Sequence, residues 1–257
     1  MRSLIIFLVL QVIGALLTPF IFVPQEMRPF ISETPGVIDV GFIFVLAVVG
    51  AIVLLIIKLF IPLRWISHMV VLSCGFYLGS FWSELWGFLL GFFVLALRFT
   101  KDIWLMNIST SICAISFGFL FGAFVSPEFA LLLITALAVY DAWGVLYTKH
   151  IQKLWLAQHG KKKKMTISKD KIFDGILMAV PTERGFEIMG VGDYALPLVL
   201  VISAAKLNIL AGIIIAIFST FGYWQLQKVR GKILPGIPFI GVGCALGLLL
   251  VKVIGLI

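Results

Sequence analysis

Apolar residues run through this chain in long blocks with few polar interruptions, and the blocks have the length of membrane spans. A helix needs about 20 predominantly apolar residues to cross the hydrocarbon core. By that measure nine spans are expected, roughly 4–23, 38–61, 67–81, 85–97, 103–125, 129–148, 186–205, 207–227 and 233–257. The stretch 65–98 is too long for one span and short for two. Its middle, Ser80-Phe81-Trp82-Ser83-Glu84, reads as a tight turn at the interface with aromatic anchors, so the stretch is divided there. A polar stretch, 151–185, separates spans one to six (1–150) from spans seven to nine (186–257) of a single membrane domain. It contains Lys161-Lys162-Lys163-Lys164 and reads as an inner loop touching anionic lipid. Its apolar part, Ile172 to Val180, ends at Pro181 and is too short to span; it suits a strand or an interfacial segment. The first span has no clean small-x-small cleavage site after it and is expected to be retained.

Composition supports this pattern. The 257 residues are 61% hydrophobic and 12% charged, against about 45–50% apolar and about 25% charged in soluble domains. Mean hydropathy is +1.15. A soluble globule, a disulfide scaffold and a disordered chain are excluded. The three cysteines, Cys74, Cys113 and Cys244, are an odd number in apolar stretches. His68, His150 and His159 have no Cys or carboxylate at ligand spacing, so no metal is expected; nor is another cofactor, because the two intramembrane aspartates described below and water suffice for the chemistry.

The net charge of +8 raises the possibility of a polyanion partner, but its distribution argues for topology. With nine spans and the N-terminus inside, every Lys and Arg except Arg28, Lys206 and Lys252 falls on the inner side. Merging spans three and four leaves the Lys-rich loop inside and flips Arg2, Lys58 and Arg64. The charges therefore favour nine spans, and no nucleic-acid partner is expected.

Two of the twelve acidic residues stand inside expected spans: Asp141 in the sixth and Asp193 in the seventh. A carboxylate in hydrocarbon costs at least about 2.5–3.5 kcal/mol, so each is a functional candidate. Asp141 lies eight residues before Lys149, and Asp193 nine after Arg184. At the helical rise those separations are roughly 12 and 14 Å from the same inner face. Two carboxylates at one depth on adjacent helices can meet and share a proton, a state suited to peptide hydrolysis. A lone buried aspartate could equally bridge helices, a reading that two matched acids weaken. Gly190 and Gly192 are expected to let another backbone approach Asp193, with Val191 between them, and Tyr140 to hydrogen-bond near the site. At the mouth of the last span, Pro235, Gly236, Ile237 and Pro238 cannot start a regular helix and are expected to be extended, with free backbone groups.

Tyr140-Asp141, then Gly190-Val191-Gly192-Asp193, then Pro235-Gly236-Ile237-Pro238, in that order on the sixth, seventh and ninth spans, resemble the aspartyl intramembrane proteases. This is the presenilin and signal peptide peptidase family, and the likeness is strongest to its compact archaeal members. The third motif departs from the usual Pro-Ala-Leu while keeping a small and then an aliphatic residue. The resemblance implies an all-α membrane protein, a bundle of nine transmembrane helices with room for a small strand pair at the cytoplasmic mouth. It implies an aspartic endopeptidase with Asp141 and Asp193 as the catalytic pair. The residues around them, Tyr140, Gly190, Val191, Gly192 and Pro235 to Pro238, would shape the substrate site, and 176–180 would help form a strand with the substrate. The implied partners are transmembrane segments of substrate proteins and the lipid bilayer, with no obligate subunit. The implied location is a prokaryotic cell membrane of archaeal type.

Positive-inside places the N-terminus and the Lys-rich loop in the cytoplasm and the C-terminus outside. This resembles the presenilin orientation, and substrates with their N-terminus outside are expected. The principal alternative is a proton- or cation-coupled transporter using the carboxylates as a relay. It would favour an internal inverted repeat; both acids lie in the last half, with no counterpart earlier. A prepilin-type peptidase also carries the glycine-aspartate motif, but those chains have fewer spans and lack the final proline motif.

Overall fold

A computed structural model describes residues 2–20, 63–100, 102–146, 177–182, 185–228 and 235–257. The expected second span (38–61) and the Lys161–Lys164 segment lie outside the described residues. Within them the chain forms eight α-helices and two strands. They are α1 (Arg2–Leu17), which runs into a 3-10 turn (Thr18–Phe20), α2 (Leu63–Ser80), α3 (Glu84–Phe99), α4 (Ile103–Gly122) and α5 (Pro127–Leu146). Then come β1 (Leu177–Thr182), β2 (Gly185–Gly190), α6 (Val191–Ala205), α7 (Ile209–Lys228) and α8 (Ile237–Val253). By length and composition α4, α5 and α7 suffice to cross a membrane; α1, α6 and α8 are apolar but shorter.

The outer surface is the apolar one. On α3, Leu85 is 67% exposed and Phe92 61%, while Gly87 and Gly91 are buried. Water would penalise that arrangement and hydrocarbon favours it, so the chain is an integral membrane protein. The divided stretch 65–98 is a helical hairpin. Ser83 caps α3, its side chain accepting from the Trp86 N–H at 3.3 Å. The two helices meet on glycines: a methyl group on Gly75 would stand 2.8 Å from Gly91 Cα, and one on Gly79 would strike the Trp86 carbonyl.

At the centre of the bundle is α6. Almost every residue from Tyr194 to Ala205 is buried, as expected of a helix that is apolar all round. It packs against α1, α4, α5, α7 and α8. Gly118 and Gly122 of α4 let that helix close onto Leu198, Val199 and Ile202; Gly212 of α7 does the same against Val201 and Ala205. Polar contacts tie down both ends of the bundle. At one end Lys252 of α8 pairs with Glu128 of α5 at 2.6 Å, and Lys206 Nζ donates to the Ala123 carbonyl at 3.1 Å, just past α4. At the other, Gln227 Nε2 donates to Ser3 Oγ at 2.5 Å.

Two sequence-based expectations differ from what forms. The seventh span does not begin at 186: residues 185–190 are β2, paired antiparallel with β1 in the register Leu177↔Gly190 to Thr182↔Gly185. A short apolar run carries no periodicity that separates a strand from a helix end, and here β1 supplies the partner. The stretch 236–239 is not extended either. Gly236 has helical angles (φ −81°, ψ −44°) and α8 starts at Ile237. Pro238 is accepted because it falls in the first turn, where its missing N–H costs nothing.

Candidate active site

Four elements converge at the Gln227–Ser3 end of the bundle: the last turns of α5, the β-hairpin, and the first turns of α6 and α8. Asp141 comes from α5 and Asp193 from the first turn of α6. Both are partly buried, and their carboxylates stand close enough for their charges to interact. Between Arg184 and Asp193, residues 185–190 are extended strand, so a helical rise does not apply there and the matched depths do not follow. The two acids come to one end of the bundle because α6 begins at the hairpin and Asp193 lies in its first turn.

Each carboxylate faces backbone N–H groups. The Ile237 N–H donates to Asp141 Oδ2 at 3.2 Å, and the Gly236 amide faces the same group. These are donors at the start of α8 that have no partner inside the helix. Gly236 has no side chain to cap them, so Asp141 caps α8 from another helix, and the helix terminus favours its negative charge. The Gly190 amide faces Asp193 in the same manner at the start of α6. The third motif thus contributes a helix N-terminus rather than an extended edge.

Among the described residues the glycines of the second motif press against no other helix. A methyl group on Gly192 would meet nothing within 4 Å, and one on Gly190 would meet only Asp193 Oδ2, at 3.9 Å. Among the described residues no backbone closes in on Asp193, and none of them fills the space beside the carboxylate. Gly236 also has room: a methyl group there would stand 3.5 Å from Asp193 Oδ1 and 3.6 Å from Leu226 Cδ2. Those are ordinary contacts, so the usual alanine of this motif would fit. Pro235 is buried; Val191, Ile237 and Pro238 are partly buried around the site. Tyr140 makes no described hydrogen bond to either carboxylate. It is 69% exposed, one residue and about 100° round the helix from Asp141. Among the described residues, no cluster of three or more His, Cys, Asp or Glu side chains is arranged to hold a metal ion.

Two polar residues that the sequence reading passed over serve this end of the molecule. Gln11 of α1, fully buried, donates from Nε2 to the Tyr194 carbonyl at 3.1 Å, one residue after Asp193. Tyr194 is buried against Phe7, with ring centroids 5.4 Å apart, and Phe7 stacks on Tyr223 at 4.8 Å. Asn107 of α4 bonds the backbone of β1 at Ala179. Both stand out in sequence as amide side chains in apolar spans, the signal that would have found them.

No family model and no curated protein matches this chain. Solved structures do. One is a presenilin family intramembrane aspartate protease in space group C222, 20% identical with a TM-score of 0.64, the match covering 95% of each chain. Another is a presenilin family intramembrane aspartate protease in space group P2, 19% identical with a TM-score of 0.65, covering 98% of this chain and 97% of that one. The fold of this membrane protein is therefore that of the presenilin-family intramembrane aspartate proteases.

Proposed function

We propose that the protein is an intramembrane aspartic endopeptidase that hydrolyses peptide bonds in transmembrane helices of other membrane proteins. The observation that carries this reading is that two carboxylates, Asp141 and Asp193, both reach the first turn of α8, the one on the Ile237 N–H and the other beside Gly236, with no described residue filling the space at Gly192. That they do so within a fold shared with presenilin-family proteases supports the same reading. Two carboxylates that act on one water would share one proton between them. The ionised one takes a proton from water, whose oxygen attacks the scissile carbonyl carbon. The protonated one gives its proton to the carbonyl oxygen, and collapse of the tetrahedral intermediate returns a proton to the leaving amine. The first turns of α6 and α8 hold the negative charge in place throughout. A substrate helix must unwind to expose its amide, and the β-hairpin next to Asp193 offers backbone groups for the unwound segment.

The orientation belongs to the same proposal. The N-terminus and the Lys-rich loop are cytoplasmic, the C-terminus is outside, and the preferred substrates have their N-terminus outside. The membrane is that of a prokaryotic, archaeal-type cell. Likeness to protease structures gives the transporter reading no support.

The test is cleavage of a single-span reporter by detergent-purified protein beside Asp141→Asn and Asp193→Asn. Wild type is expected to cut and each variant to lose at least about 1000-fold in rate. Cleavage persisting in both variants would remove these residues from the chemistry.

A further inference from the structure

We propose that Asn107 is a positioning residue of the site, its side-chain amide clamping the outer edge of β1 and so fixing the hairpin that leads into Asp193. The proposal rests on the protease reading above and adds to it the group that holds the sheet in place.

Asn107 lies in the second turn of α4 and is 4% exposed. Its Nδ2 donates to the Ala179 carbonyl at 2.7 Å, and its Oδ1 accepts from the Ala179 N–H at 2.9 Å. One amide thus engages both backbone groups of one strand residue, as a neighbouring strand would. In an antiparallel ladder the N–H and C=O of a residue point to the same side. Those of Ala179 point to α4 and therefore away from β2, leaving Met178, Val180 and Thr182 to bond with Met189, Glu187 and Gly185.

The two edges of the sheet then differ. At the centre of β1's outer edge, Asn107 occupies both groups of Ala179; two residues on, Pro181 has no N–H to offer. A third strand finds no continuous ladder there. On β2 the outward N–H and C=O groups belong to Phe186, Ile188 and Gly190; the Gly190 amide faces Asp193, and among the described residues no further backbone bond is made to those of Phe186 and Ile188. That edge ends three residues before Asp193. An unwound substrate segment laid along it reaches the carboxylates in a register that depends on how firmly the hairpin is held. The hold comes from α4, a helix of the bundle core, through Asn107. An amide buried in an apolar span is costly unless both its ends are paired, and both ends are spent on Ala179.

The experiment uses the full chain in detergent, comparing wild type with Asn107→Leu, which keeps the size and removes both bonds. Ser116→Ala is the control. It lies on the same helix and removes a different interhelical bond, Ser116 Oγ to the Cys74 carbonyl at 2.9 Å. Amide hydrogen exchange at Ala179 and the masses of reporter products are read together. The expected result is a protected Ala179 amide in wild type and loss of that protection in Asn107→Leu. A fall in kcat/KM of between about 10- and 100-fold accompanies it, with cutting spread over neighbouring peptide bonds. Ser116→Ala keeps the wild-type product masses. If Asn107→Leu does not fold, Asn107→Asp, which keeps Oδ1 and loses the donor, carries the same expectations. A freely exchanging Ala179 amide in wild type would overturn the clamp, and so would unchanged kcat/KM and product masses in a folded Asn107 variant. Asp141→Asn run alongside separates the two claims. If it cuts like wild type, the protease reading fails, while exchange at Ala179 still decides the clamp.

Discussion

A methyl group added at Gly75 would stand 2.8 Å from the Gly91 Cα; added at Gly192, beside Asp193, it would meet nothing within 4 Å. The first glycine belongs to a helix–helix contact, the second to the site, and the pair divides the molecule. Along α2–α3, α4–α6 and α7–α8, glycines remove side chains so that helices press together, which in lipid is a main source of association. At Gly190, Gly192 and Gly236 the same residue leaves a volume that no described part of the protein fills. The bundle uses glycine to close space and the site uses it to keep space open.

That contrast is sharpest under substitution. The largest effect is expected at Gly243→Ala, whose methyl group would run into the Phe218 carbonyl and stand 3.2 Å from Gly222 N. Neither is a flexible side chain, so α7 and α8 must part. Overpacking of this kind costs about 1–3 kcal/mol, read as a lower unfolding temperature in detergent. Gly192→Ala should leave stability, read by the same unfolding temperature, within about 0.5 kcal/mol of wild type. It should instead lower reporter cleavage about tenfold, because the methyl group occupies space meant for substrate. A Gly192→Ala protein that unfolds early yet cuts normally would break the distinction. The smallest effect is expected at Gly236→Ala, where the methyl group meets only ordinary contacts at 3.5–3.7 Å. Cleavage should stay within about threefold of wild type, less than one kcal/mol of barrier.

The hairpin and the two acids were legible because hydrocarbon makes their signals strong. Ser80 to Glu84 interrupts an apolar stretch of hairpin length, and Asp141 and Asp193 are costly where they stand. What could not be read was the local conformation around them. Residues 185–190 are apolar enough to pass for the start of a span, and only pairing with β1 makes them a strand. Pro235 to Pro238 looked incompatible with a helix, yet Pro238 sits in the first turn of α8, where proline is welcome. Gly190 and Gly192 resemble packing glycines in sequence, and only the lack of a close neighbour among the described residues separates the two uses. Gln11 and Asn107 carried a readable signal, an amide in an apolar span, but their partners are backbone groups 183 and 72 residues away along the chain.

The central claim is that Asp141 and Asp193 act as one unit. It is tested most directly by measuring the cleavage rate of Asp141→Asn, Asp193→Asn and the double variant on the same reporter. Groups that work as a unit are non-additive, so the account predicts that the double variant is no slower than either single one. Losses that multiply in the double variant, or a single variant that keeps the wild-type rate, would contradict it.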